Sequence, residues 1–215
     1  MNDRRHVIIR SFGMVLLMST VVMTSGFKIV SSEELTKIRN EGSAPEVDTS
    51  SLFHDDIAPW AISSSREADE ILSAIDKQGF SEACQEYGVQ KSQAFPCTFW
   101  VKVAGTVAAV DTSSRVGKIK LSSGDKNVEI LIGPVIPDTA LRDGYPEIDY
   151  SDFGNQDAFA NLSEALNREA ISLVDEVEEI TPGDRVSAVG AFSTWGGVED
   201  TLQIVPVELN RVNAE

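Results

Sequence analysis

The sequence predicts a mainly β protein with helices, in the order three strands, one helix, two strands, behind a helical extension. Three observations carry this. Apolar residues alternate with other residues from Phe99 to Ile132. The alternation returns after the turn Pro182-Gly183-Asp184. Between the two blocks lies Ile132 to Ala170, IGPVIPDTALRDGYPEIDYSDFGNQDAFANLSEALNREA, which closes with an amphipathic helix. Period-two alternation marks strands, and a 3.6 period marks a helix with one buried face.

A length of 215 residues suits one domain and a targeting segment. The formal charge is −16. Removing a leader with Arg4, Arg5, Arg10 and Asp3 takes it to about −18. A field of that sign repels phosphate backbones, so nucleic-acid binding is disfavoured.

Residues 1–30 read as an export segment. MNDRRHVIIR supplies positive charge, SFGMVLLMSTVVMTSGF is uncharged and apolar, and Lys28 ends it. Cleavage near Ser25 or Gly26 is one outcome, although no A-x-A-like site is present. The other is a retained signal anchor, with the arginines held on the inner side. Residues 31–56 read as a linker. Ser31 to about Ser51 is rich in Ser, Glu, Gly and Pro. The folded domain is placed at 57–215, with 57–90 as the helical extension.

In that extension, Ser64 and Glu67 suggest a capping box, and Ala68, Ile71, Leu72 and Ile75 share one helical face. Gly79 stops the helix, and a short second one, Ser81 to Tyr87, ends at Gly88. Cys84 and Cys97 are the only cysteines. In an oxidising compartment they suggest one disulfide, contributing about 3 kcal/mol by the entropy model. In the cytosol they would be two buried thiols.

The first strand carries Phe99, Val101, Val103, Val107 and Ala109, with Gly105 at a place where barrels bend. Asp111 to Ser114 turns into a strand with Ile119 and Leu121, and Ser122 to Asp125 into one with Val128, Ile130 and Ile132. The helix spans about Asp157 to Leu173, capped by Asn155. Its buried face holds Phe159, Leu162, Leu166 and Leu173, and Glu164, Asn167, Arg168 and Glu169 should be wet. The second block holds Val186, Ala188 and Phe192, a hairpin at Trp195-Gly196-Gly197, then Leu202 and Ile204. Its phase slips near Pro206, which implies an edge or a bulge. This order is that of a five-stranded OB-like barrel with a helix between strands 3 and 4, expected to plug the open barrel end. A two-layer α+β sandwich competes; strand order separates the two.

The runs IGPVIPDTALRD, DFGNQDAFANLSEALN, GDRVSAVGAFS and IVPVEL, with EYG at Glu86–Gly88 and VAGTVAAVD, resemble a bacterial family of predicted periplasmic lipoproteins of unknown function. The resemblance covers roughly Ile57 to Leu209. It implies an envelope location, an OB-like domain, genes often beside ATP-driven sugar importers, and no established activity. Members carry a lipid-bearing cysteine just before the K-I-V that stands here as Lys28, Ile29 and Val30. This chain has Phe27 there. Lipidation is therefore not expected, which favours a helical tether to the inner membrane.

No stretch carries a strong chemical signature. His54 is the one histidine beyond the leader, and no phosphate-binding glycine loop occurs. DYSDFGNQD fails EF-hand spacing, because Phe153 stands at the fifth position and Ala160 at the twelfth. No catalysis, metal or cofactor is expected. Arg142, Asp143, Asn155 and Gln156 can contact a small polar ligand such as a sugar, or can tie down a long irregular connection. Lys118, Lys120 and Lys126 mark the strand 2–3 face, with only Trp100 and Trp195 as aromatic candidates. The expectation is a non-enzymatic accessory or binding module of the envelope. Its candidate partners are the membrane, sugar-importer components or a small polar ligand.

Overall fold

The structure is a computed structural model. It describes residues 47–212 apart from 124–125, 177–179 and 199–200. The predicted export segment, and the predicted linker up to residue 46, lie outside the described residues.

The barrel is built from β1 (Cys97–Asp111), β2 (Val116–Ser123), β3 (Lys126–Pro134), β4 (Arg185–Thr194) and β5 (Thr201–Val212). β1, β2 and β3 form an antiparallel meander. β3 then runs parallel to β5, β5 antiparallel to β4, and β4 antiparallel back to β1. The ring is closed, which decides for the OB-like barrel over the sandwich.

Closure depends on β1 serving two neighbours. Residues 97–106 pair with β4 and residues 106–111 with β2. A bulge falls at Ala108, an extra residue between Val107 and Ala109, three residues past Gly105. A second bulge leaves Val207 extra beside Pro206, where the apolar phase slips. Each bulge adds local twist, and strands must coil to meet. Pro206 fits there because it has no N–H to give a ladder.

Two apolar layers result. The barrel interior holds Phe99, Val101, Val103, Ile119, Leu121, Val128, Ile130, Phe192, Leu202 and Ile204. The opposite face of β3, β4 and β5 offers Leu131, Val189, Ala191, Val205 and Val207 to the helices. Those helices are α1 (residues 49–64), α2 (Ala68–Gln78), α3 (Phe80–Tyr87), α4 (Ala140–Asp143) and α5 (Gln156–Glu176).

Helix α5 corrects the expected plug. Its buried face, Phe159, Leu162, Leu166 and Ala170, packs in the outer layer, and only Val174 near its end joins the interior cluster. A helical period fixes which side is apolar, not which side of a sheet receives it. Asn167 is a second correction: it is buried, not wet.

The folded part also begins earlier than residue 57. Helix α1 contains a π-helical stretch, Leu52–Ile57, in which Ala58 N–H donates to the Phe53 carbonyl five residues back. Pro59 follows, with no N–H for a regular turn. The wider turn seats Phe53 and Ile57, both fully buried. The predicted capping box is absent. Ser64 ends α1, and Glu67 precedes α2 without a side-chain cap bond. Arg66–Glu67 is instead extended and pairs with Val101 and Lys102 of β1. Gly79, at φ 92°, separates α2 from α3. Gly88–Val89 pairs with Phe99 and Thr98, and the Cys84–Cys97 disulfide fastens α3 to the start of β1.

Candidate functional site

The connection from β3 to α5 is irregular, so its backbone groups need partners from elsewhere. Side chains supply them. Asn167 Nδ2 donates to the carbonyls of Ile136 (3.0 Å) and Asp138 (2.8 Å). Ser163 Oγ donates to the Asp138 carbonyl at 3.2 Å. Trp100 Nε1 donates to the Gly144 carbonyl at 2.8 Å. A Cβ at Gly144 would lie 2.6 Å from Thr98 Cγ2, so only glycine lets this turn approach β1. Lys91 Nζ donates to the carbonyls of Tyr145 (2.7 Å) and Pro146 (2.6 Å). Burial pushes the Lys91 pKa below its ordinary value, against the pull of Asp149 and Asp143.

Within this frame, α4 buries an ion pair. Arg142 is 7% exposed and Asp143 3%. Arg142 Nε donates to Asp143 Oδ1 at 2.8 Å and Nη2 to Oδ2 at 3.1 Å, a two-point pair. Thr139 Oγ1 donates to the same Oδ2 at 2.6 Å. Arg142 Nη1 donates to the Phe159 carbonyl at 3.1 Å, and Cζ stands 3.7 Å from the Phe159 ring centroid. Burying two charges is costly, and this saturation is what makes it tolerable. Of the five guanidinium N–H groups, one on each Nη has no partner among the described residues.

Arg142 lines an open groove of about 440 Å³ with Phe95, Tyr150, Gln156, Phe159 and Ala160. The Tyr150 ring meets Phe159 edge-on at 5.3 Å. The four predicted residues thus divide. Arg142 and exposed Gln156 face the groove, and Asp143 orients the guanidinium. Asn155 caps α5, its Oδ1 accepting from Ala158 N–H at 2.8 Å. Asn167 and Ser163 also hold this site together, and nothing in the sequence marks them as polar residues that the fold buries.

A second opening, about 530 Å³, lies between Asp138 and the β4–β5 hairpin. Its lining includes Phe192, Ser193, Thr194, Thr201, Leu202 and Gln203. Burial raises the Asp138 pKa, partly offset by hydrogen bonds from the Ala140 and Thr139 N–H groups.

The remaining candidates fall elsewhere. In DYSDFGNQD, Asp149 accepts from the Ser151 N–H (2.8 Å) and hydroxyl (2.7 Å), and Asp152 accepts from Asp149 N–H (3.1 Å), so these carboxylates hold their own turn. Among the described residues no group of three His, Cys, Asp or Glu is placed to hold a metal. His54 Nε2 lies 3.5 Å from Glu169 Oε2, joining α1 to α5. On the β2–β3 face, Glu129 engages Lys118 at 2.7 Å and Lys120 at 3.9 Å. The Lys126 side chain lies outside what is described. Trp100 is buried, whereas Trp195 is 66% exposed at the hairpin.

A family model described as predicted periplasmic lipoprotein (DUF2291) matches residues 17–210. The chain belongs to this family. Among solved structures, this family member is similar to an OB-fold protein from Thermotoga maritima, with a TM-score of 0.53 and 13% identity, over 73% of this chain and 98% of that one. That likeness shows the fold. An OBody bound to hen egg-white lysozyme matches at a TM-score of 0.29 and 20% identity, over 54% of this chain and 96% of that one, too loosely to bear on the fold. No curated protein matches. The family's description places its members in the periplasm and assigns no activity. No helix among the described residues is long and apolar enough to cross a membrane.

Proposed function

We propose that this family member is a non-catalytic binding module of the cell envelope, held to the inner membrane by its N-terminal segment. The groove at the start of α5 takes a small polar ligand. The observation that carries this reading is Arg142: a buried guanidinium, fixed by Asp143 and Phe159, with two N–H groups left over beside a groove lined by aromatic rings. A positioned planar donor next to aromatic faces suits a ring with hydroxyls on its edge and C–H groups on its face, that is, a sugar. A carboxylate ligand suits it less, because Asp143 already neutralises the guanidinium.

Lysines held by Glu129 support the exclusion of nucleic acid. Thermal shift against a panel of neutral sugars and sugar acids tests the reading. A rise in melting temperature that Tyr150→Ala and Gln156→Ala abolish would support it; no shift from any sugar would sink it.

A protein partner is the second reading, and exposed Trp195 favours it. A role beside a sugar importer rests on the resemblance of the sequence alone. Crosslinking in intact membranes, with Trp195→Ala as control, tests this reading. Recovery of an importer subunit that the variant loses would support it.

A further inference from the structure

The groove at the start of α5 is walled by segments that lie far apart in the chain. Arg142, Tyr150, Gln156 and Phe159 come from the β3–α5 connection and from α5 itself. Phe95 comes from residues 90–96, the loop that leads into β1. Whatever holds that loop to the connection therefore sets the width of the groove.

The loop is fixed at its ends and folded on itself. Gly88–Val89 pairs with Phe99 and Thr98, and the Cys84–Cys97 disulfide closes its base. Gln90 Nε2 donates to the Phe95 carbonyl at 2.9 Å, and Phe95 N–H donates to the Ser92 carbonyl at 3.0 Å. The Phe95 ring packs against the outer apolar layer. Among the described residues, the hydrogen bonds from this loop to the connection are those of Lys91, to the Tyr145 and Pro146 carbonyls. The far side of that turn is anchored separately, by Trp100 Nε1 on the Gly144 carbonyl.

The choice of partner is informative. Asp149, Asp143, Glu147 and Asp152 all act electrostatically on Lys91. Yet among the described residues its ammonium forms no ion pair, and it donates to two neutral carbonyls. An ammonium is strongly hydrated, and a lysine serving only as charge keeps its head in water. Lys91 gives up part of that hydration, and acceptors on adjacent residues fix where its nitrogen sits.

Taking that groove as the ligand site, we propose that Lys91 is its positioning residue: by holding the Phe95 loop to the Tyr145–Pro146 turn, it sets the spacing of the Phe95 and Tyr150 rings between which a ligand is gripped. Lys91 is not among the residues lining the groove, so it acts through those two rings.

The test compares Lys91→Met, which keeps the stem and removes the donors, with Lys91→Arg, which keeps donors in reach. The Pro146 carbonyl bond is exposed, so water can replace it, and Lys91→Met should lower the melting temperature by no more than about 4 °C. The full chain in detergent, carrying meta-fluorotyrosine at its three tyrosines, gives a readout that needs no ligand. In Lys91→Met the Tyr150 fluorine line should shift and broaden, while that of Tyr87, packed on the barrel interior, should stay. Lys91→Arg should bring the Tyr150 line back toward its native place. Isothermal titration with glucose should show binding weakened at least about fivefold in Lys91→Met and less than about twofold in Lys91→Arg. An unmoved Tyr150 line, or equal glucose affinity in Lys91→Met and the native chain, would overturn the proposal. Movement of the Tyr87 line as well, or a larger drop in melting temperature, would mark a general loosening and overturn it too. Silence of the native chain toward glucose would count against the sugar reading instead, with the Tyr150 line still deciding on Lys91.

Discussion

Arg142 holds Phe159 twice: Nη1 donates to its carbonyl at 3.1 Å while Cζ lies 3.7 Å from its ring centroid. One side chain therefore joins the irregular connection to the first turns of α5, both to the backbone and to the side chain. Removing it strands Asp143. Arg142→Met should cost about 3–5 kcal/mol, because it leaves a buried carboxylate unpaired. The double change Arg142→Met with Asp143→Leu should cost less than the single one. Urea denaturation of both checks this; a double variant that is the weaker one would contradict it.

Asp138 should cost the protein stability at neutral pH. Its folded pKa is raised by burial, so the folded state binds a proton more tightly than the unfolded chain, whose aspartates titrate near 3.9. The stability gained by protonation appears as pH falls through the raised value, and is missing above it. Asp138→Asn, which keeps an acceptor for Ala140 N–H, should raise the urea midpoint at pH 7. Its advantage should shrink as pH drops toward 4. An advantage that grows in acid would refute the sign.

The disulfide is expected to count. Cys84 and Cys97 are separated by 13 positions, and closing a loop of that size contributes about 3 kcal/mol in the entropy model. Replacing both with serine should lower the melting temperature, and reductant should lower only that of the native chain. Equal midpoints with and without reductant would remove the bridge from the account.

Asn167 offers the fourth prediction. Its amide ties two carbonyls, and Oδ1 is buried without a partner among the described residues. Asn167→Ala should destabilise by about 1–3 kcal/mol, since two carbonyls lose their donor. Asn167→Asp should be worse, setting a carboxylate against them. Hydrogen exchange should show faster opening around Ile136 to Asp143 in both.

Much of the barrel was legible because period two is a local signal. The phase slip at Pro206 reads directly as the bulge at Val207, and Asn155 reads directly as the cap of α5. What escaped was burial that defies polarity. Arg142, Asp143 and Asn167 look wet in one dimension, and become interior only because each meets partners from another segment. The start of the fold escaped for a related reason. Phe53 and Ile57 sit four apart around His54, Asp55 and Asp56, and a polar interruption hides a π-helical turn. The groove joins Phe95 to Tyr150 and Phe159 across loops, a juxtaposition that no sequence spacing encodes.

The route of the extension along β1 has a consequence for recognition. Where β1 leaves β2 to run with β4, its other side would be bare ribbon, but Arg66–Glu67 and Gly88–Val89 already lie there. The ring itself is completed by the short β3–β5 ladder, residues 127–130 with 201–204. An incoming polypeptide therefore finds this stretch of β1 already claimed, and strand addition is blocked there. Whatever docks over this stretch of β1 must read side chains, so specificity there will reside in a handful of residues that substitution can reach.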